Sequence, residues 1–151
     1  MQPIETMKFV NMVSPTSATL AASAALTVAN LVDTKGWGHL RVLFVCGDIA
    51  VASSAAPKLQ MCDTTDGSFA DITSAALAAA ILTTSDGYMY AIDVDLTKGT
   101  IKRYVQPLAT KQTDSTTGSG LAVLGILSRP CSGSMGGGYS AAGLTAAVVS
   151  V

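Results

Sequence analysis

A chain of 151 residues is long enough for one domain with a real hydrophobic core. Its apolar share of 49% leans on alanine rather than aromatics (5%), and only 13% of residues are charged, which excludes disorder and collagen. Nine basic against ten acidic residues leave a net charge of −1, so no field draws the chain to nucleic acid or to a membrane surface.

Glu5 is the only glutamate, while Thr, Ser, Gly and Val are abundant. Long surface helices use Glu and Lys freely, so the composition argues for β structure. No apolar run reaches 18 residues, and the first residues lack a basic stretch followed by an apolar one. Neither a membrane span nor a secretory leader is expected. Cys46, Cys62 and Cys131 are an odd number without a CxxC spacing. Three reduced, mostly buried thiols made in a cytosol are expected.

In chain order, residues 7–13 read as a short strand. From Leu20 to Val28, apolar residues alternate with Thr19, Ser23 and Thr27, the period of a half-buried strand. Asp33 to Gly38 is a turn around Trp37. His39 to Cys46 is the strongest strand, with Leu40, Val42, Phe44 and Cys46 on one face. Its other face is Arg41, Leu43 and Val45, apolar enough for a central position. After a small-residue loop, Leu59 and Met61 mark a strand. Asp66-Gly67 predicts a hairpin into residues 69–72, with glycine supplying a positive φ. Residues 74–82 suit a short alanine-rich helix or an irregular connection.

Asp86-Gly87 is the next turn. Tyr88, Tyr90, Ile92, Val94 and Leu96 alternate with Met89, Ala91, Asp93 and Asp95, so a half-buried strand is expected there. Lys98-Gly99 turns the chain into a strand over 101–108. A polar loop follows, then an apolar central strand from Leu121 to Ser128, stopped by Pro130. Beyond Arg129 no charge occurs, and Gly133, Gly136, Gly137 and Gly138 interrupt the run. About seven to eight short strands with turns every ten residues predict an all-β chain. The expected architecture is an antiparallel β-sandwich or jelly roll. An N-terminal arm or edge strand spans 1–13, the sandwich 14–130, and a Gly-rich C-terminal arm 131–151.

Chemistry is sparse. His39 is the only histidine, with no Ser or Cys near it in sequence to act as a nucleophile. Zinc ligand spacings and a phosphate-loop ending are both missing. Asp93 and Asp95 share a parity and reach one face about 7 Å apart. With Asp63 or Asp66 they offer a weak Ca²⁺ site, or an acid and base for glycoside hydrolysis, against an ordinary solvated face. Lys102, Arg103 and Tyr104 form a basic-aromatic group of the kind found at interfaces, against an edge-strand surface. Trp37 is a packing residue or a ligand platform. The expectation is no enzyme, no cofactor and no resident metal.

Three stretches carry a resemblance. KLQMCDTTDGSFADI at 58–72, GTIKRYVQPLAT at 99–110 and GSGLAVLGILSRP at 118–130 resemble, in order and spacing, segments of small β-sandwich proteins encoded among tailed-bacteriophage head genes. The resemblance covers roughly residues 36–130 and leaves both ends outside it. It implies a capsid decoration (cement) protein, made in the host cytoplasm and sited on the capsid exterior. Such a protein bridges major capsid protein subunits, often as a homotrimer, with no nucleic-acid or membrane partner. Candidate interface residues are Lys102, Arg103, Tyr104, Arg129 and Trp37, joined by Met7 and Phe9 on the N-terminal segment. The alternative is a glycan- or receptor-binding sandwich on the virion surface.

Overall fold

The computed structural model describes residues 7–15, 30–49, 56–109 and 120–130. The strand expected at 20–28, the loop 111–119, residues 1–6 of the expected N-terminal arm and all of the expected C-terminal arm, Cys131 included, lie outside the described residues.

The described residues form eight strands: β1 Lys8–Val13, β2 Val32–Asp33, β3 Trp37–Cys46, β4 Lys58–Cys62, β5 Ala70–Ala76, β6 Met89–Asp95, β7 Tyr104–Leu108 and β8 Leu121–Pro130. They form two four-stranded antiparallel sheets, ordered β1-β8-β3-β6 and β2-β7-β4-β5, packed as a β-sandwich. The partners β1–β8, β2–β7, β3–β6 and β4–β5 are nested, as if one long hairpin had been folded over.

Period-two patterning decides which side chains meet in the middle. On β3, Leu40, Val42, Phe44 and Cys46 are buried, facing Ile92 and Val94 of β6 and Leu121, Val123 and Leu127 of β8. The second sheet adds Val32, Leu59, Ile72 and Val105. Each such aliphatic side chain contributes roughly 1.5–3 kcal/mol on leaving water. A bulge between Asn11 and Val13 turns both Met12 and Val13 inward, which strict alternation forbids. Gly125 then makes room. A Cβ there would sit 2.9 Å from Val32 Cγ2 and 3.2 Å from Met12 Sδ.

The central positions predicted for residues 39–46 and 121–128 hold: β3 lies between β8 and β6, and β8 between β1 and β3. Other expectations need correction. Of the two readings offered for 74–82, the irregular connection holds over 77–82 and the helix does not form; residues 74–76 belong to β5, where alanine propensity loses to pairing with β4. β7 starts at Tyr104 rather than 101. Before it the chain makes a single 3-10 turn, Leu96–Lys98, capped by the Asp95 carboxylate and closed by Gly99 at φ 69°. Tyr88 precedes β6 and is 58% exposed, off the buried face assigned to it. The hairpin at Asp66-Gly67 forms, but Gly67 has no positive φ. Glycine is needed there for space, since a Cβ would come within 2.5 Å of Cys62 Sγ and Thr64 Oγ1.

Candidate functional site

The two outward faces of the sandwich differ in chemistry. On the second sheet, Gln106 donates to Gln60 (3.1 Å), Gln60 donates to Asp71 (2.9 Å), and Lys58 pairs with the same carboxylate. The register sets these side chains across β7, β4 and β5 on one face. That face is a self-satisfied polar ladder, content in water. Lys58 holds the Asp71 carboxyl below the usual carboxylate range.

The first sheet's outward face has an apolar half. Phe9 pairs with Ile126, Leu43 with Leu124 and Val45 with Met89. Phe9 is 40% exposed, Val45 37% and Met89 62%, while Leu43, Leu124 and Ile126 are half-buried. These residues alternate with the core positions of the same strands, so the neighbouring strands bring them into one patch. Contiguous exposed apolar surface of this kind marks a docking surface more often than isolated hydrophobes do.

The other half of this face is polar. His39 on β3 shares its Nε2 with Asp93 of β6 (3.1 Å), and its Nδ1 meets the Ser128 hydroxyl of β8 (3.2 Å). Arg41 grips Asp93 with two hydrogen bonds, 2.8 and 3.1 Å, and holds its carboxyl below the ordinary range. Three strands are thereby clamped side to side. Sequence reasoning placed no serine beside His39; the ladder does, because His39 is the direct partner of Ser128. A proton on Nε2 donated to Asp93 leaves Nδ1 to accept from Ser128, formally the order of a nucleophile, base and acid. The row lies flat on an open sheet with its carboxylate bound to a guanidinium, a geometry that fits bracing.

Asp93 and Asp95 do not cooperate. Asp93 serves Arg41 and His39, whereas Asp95 accepts from the Thr97 N–H (3.0 Å) and hydroxyl (2.6 Å). Asp63, one of the two third ligands offered beside Asp66, pairs with Lys102 at 2.8 Å. Among the described residues no group of three or more His, Cys, Asp or Glu could hold a metal ion. Burial pushes the Cys46 thiol up, as for a packing residue.

The sequence-derived interface residues fall into separate places. Phe9 lies on the apolar patch, and half-buried Met7 just precedes β1. Trp37 opens β3 opposite Pro130 and packs on the core. Beside it Arg129 is exposed at φ 57°, with its carbonyl 2.9 Å from where a Gly38 Cβ would stand. Lys102, Arg103 and Tyr104 sit at the entry to β7, an inner strand of the second sheet, so the edge-strand reading of them is corrected. Arg103 pairs bidentately with Asp33 (3.0 and 2.8 Å), lowering that carboxyl, and lies 5.0 Å from the Tyr104 ring centroid. The group is spent largely on holding β2 against β7. Leu43, Val45, Met89, Leu124 and Ile126 were not singled out from the sequence, although the outward parity of each strand carried the signal. Among the described residues no helix is long and apolar enough to cross a membrane. No known protein family and no curated protein sequence matches the chain.

Proposed function

We propose that this protein decorates and cements the icosahedral head of a tailed phage by bridging capsid subunits, docking through the outward face of the β1-β8-β3-β6 sheet. The observation that carries the reading is the contrast between the two outward faces: one a closed polar ladder, the other bearing Phe9, Val45 and Met89 exposed among half-buried neighbours. A face of that kind gains free energy only when another surface covers it. The nested strand order supports a jelly roll, an architecture shared by viral capsid and lectin domains. The sequence resemblance to phage head-gene products points to the first of these.

The work of such a protein is binding energy. Each copy needs only a standard interface or less against any one capsid subunit. Bridging two subunits adds avidity, because the second contact forms at high effective concentration. A ligand that binds only the intact shell raises its stability by mass action. The test is addition of purified protein to undecorated heads. Saturation at a fixed copy number per shell and a higher temperature of DNA release are expected. Failure to saturate at a lattice-set number, or an unchanged release temperature, overturns the reading; retention on an immobilised cell-surface glycan would then favour receptor binding.

A further inference from the structure

Residues 77–88 connect β5 of one sheet to β6 of the other, and both ends of this connection are tied down. The Leu77 N–H donates to the Pro57 carbonyl at 2.8 Å, just before β4. At the far end the Gly87 N–H donates to the Cys46 carbonyl (3.1 Å), and the Cys46 N–H to the Tyr88 carbonyl (2.9 Å). Midway, Ile81 is fully buried in the core. A connection pinned at both ends and in its middle holds its shape. Between it and β6 lies a cavity of about 400 Å³, walled by Leu77, Leu82, Ser85, Tyr90, Ala91 and the alanines at 78–80. That volume falls among those of small-molecule sites, roughly 300–1,000 Å³. The lining residues carry no charge.

One buried polar group lines this apolar space. Ser85 is 4% exposed. Its Oγ accepts from the Leu82 N–H (3.2 Å) and from the Tyr90 hydroxyl (3.0 Å). A serine hydroxyl has two acceptor sites and one proton. Both acceptor sites are taken, so the proton is left to give. Reversing the Ser85–Tyr90 bond leaves the count unchanged, because the Tyr90 proton is then the spare one. The two hydroxyls share one bond and keep one donor, which no acceptor takes among the described residues. A buried donor is stabilised when it finds an acceptor. The wall that carries it is set in advance. Tyr90 is held at its hydroxyl by Ser85 and at its ring by Tyr88, with centroids 6.4 Å apart and planes at 66°. Fixed walls lower the ordering cost of binding. We propose that this cavity binds an uncharged small molecule with an apolar body and one hydrogen-bond acceptor, recognised by the Ser85–Tyr90 hydroxyl pair. An ionised ligand would lose its hydration against walls that offer no counter-charge. The site needs no capsid, so this inference stands independently of the capsid reading.

The test is an NMR titration of the full-length protein with three probes: acetophenone, a ring with one carbonyl; ethylbenzene, a similar shape without an acceptor; and benzoate, the same ring with a charge. Acetophenone should give saturable shifts at the amides of Leu77, Leu82, Ser85 and Ala91, and benzoate should bind at least about tenfold more weakly. The proton count sets the response to substitution. Tyr90→Phe keeps the Ser85 proton and should hold acetophenone within about threefold of the unaltered affinity. Ser85→Ala/Tyr90→Phe removes both protons and should weaken acetophenone about tenfold while leaving ethylbenzene unchanged. Retained ethylbenzene binding shows that the double variant keeps the cavity; if it loses ethylbenzene as well, the comparison of acetophenone with benzoate on the unaltered protein decides. Shifts that do not saturate with acetophenone, benzoate binding as tight as acetophenone, or equal acetophenone affinity in the unaltered protein and a double variant that still binds ethylbenzene would each overturn the proposal.

Discussion

Replacing Met89 and Val45 together by serine tests the docking face most directly. The two residues are cross-strand partners, 62% and 37% exposed, so together they leave about one aliphatic side chain's worth of surface for a partner to cover. Covering that much is worth roughly 1.5–3 kcal/mol. The double variant should therefore bind undecorated heads about 10–150-fold more weakly at each contact. Its folding should suffer far less, by about 1 kcal/mol or under, because the substituted surface faces solvent in the free protein. In a protein of this size that is a fall of about 2–4 °C in melting temperature. Cosedimentation with heads over a concentration series gives the affinity and copy number, and circular dichroism melting gives the control. Gln106→Ser, on the opposite face, should bind as the unaltered protein does. Unchanged binding by the double variant, or a larger loss from Gln106→Ser, would refute the assignment of this face.

Ile92→Ala should cost about 2–5 kcal/mol through a cavity beneath β3, read as a lower urea midpoint with unchanged slope. Gly125→Ala should cost about 1–3 kcal/mol by forcing Val32 and Met12 aside, despite being a conservative change in a strand, and thermal melting will show it. Asp33 and Asp93 titrate below the ordinary carboxylate value because Arg103 and Arg41 favour their charged forms. Their contribution is thus complete above the unfolded value of about 4 and is lost as pH falls through the folded values. Urea midpoints should fall from pH 5 toward pH 2, and Arg103→Gln should flatten that slope. Native Cys46 should resist a thiol reagent at pH 8 until the protein is unfolded, since burial both shields it and raises its pKa.

Much of the fold was legible because a half-buried strand writes its own period into the chain. The inward sets on β3 and β6 follow from alternation, whereas β8 is apolar on both parities and its buried set was chosen by packing, and Asp-Gly, Lys-Gly and Pro130 mark where strands stop. Errors arose where local preference met tertiary pairing. Alanines at 75–76 favour a helix in isolation and are held in β5 by β4. Gly67 suggests a left-handed turn and is instead required by the closeness of Cys62 and Thr64.

The site was harder to see, because it is made by neighbours across strands rather than along them. Alternation names Leu43, Val45 and Met89 as outward, yet only the order β1-β8-β3-β6 brings Phe9 and Ile126 into the same patch. The same order sets His39 against Ser128 and Asp93, residues 89 and 54 positions away in sequence. Composition, patterning and turns determined that this chain is a β-sandwich with central strands over 39–46 and 121–128. Which strands became neighbours, and so which outward face lies apolar and open, was decided by the tertiary structure, since pairing joins residues whose proximity no local preference encodes.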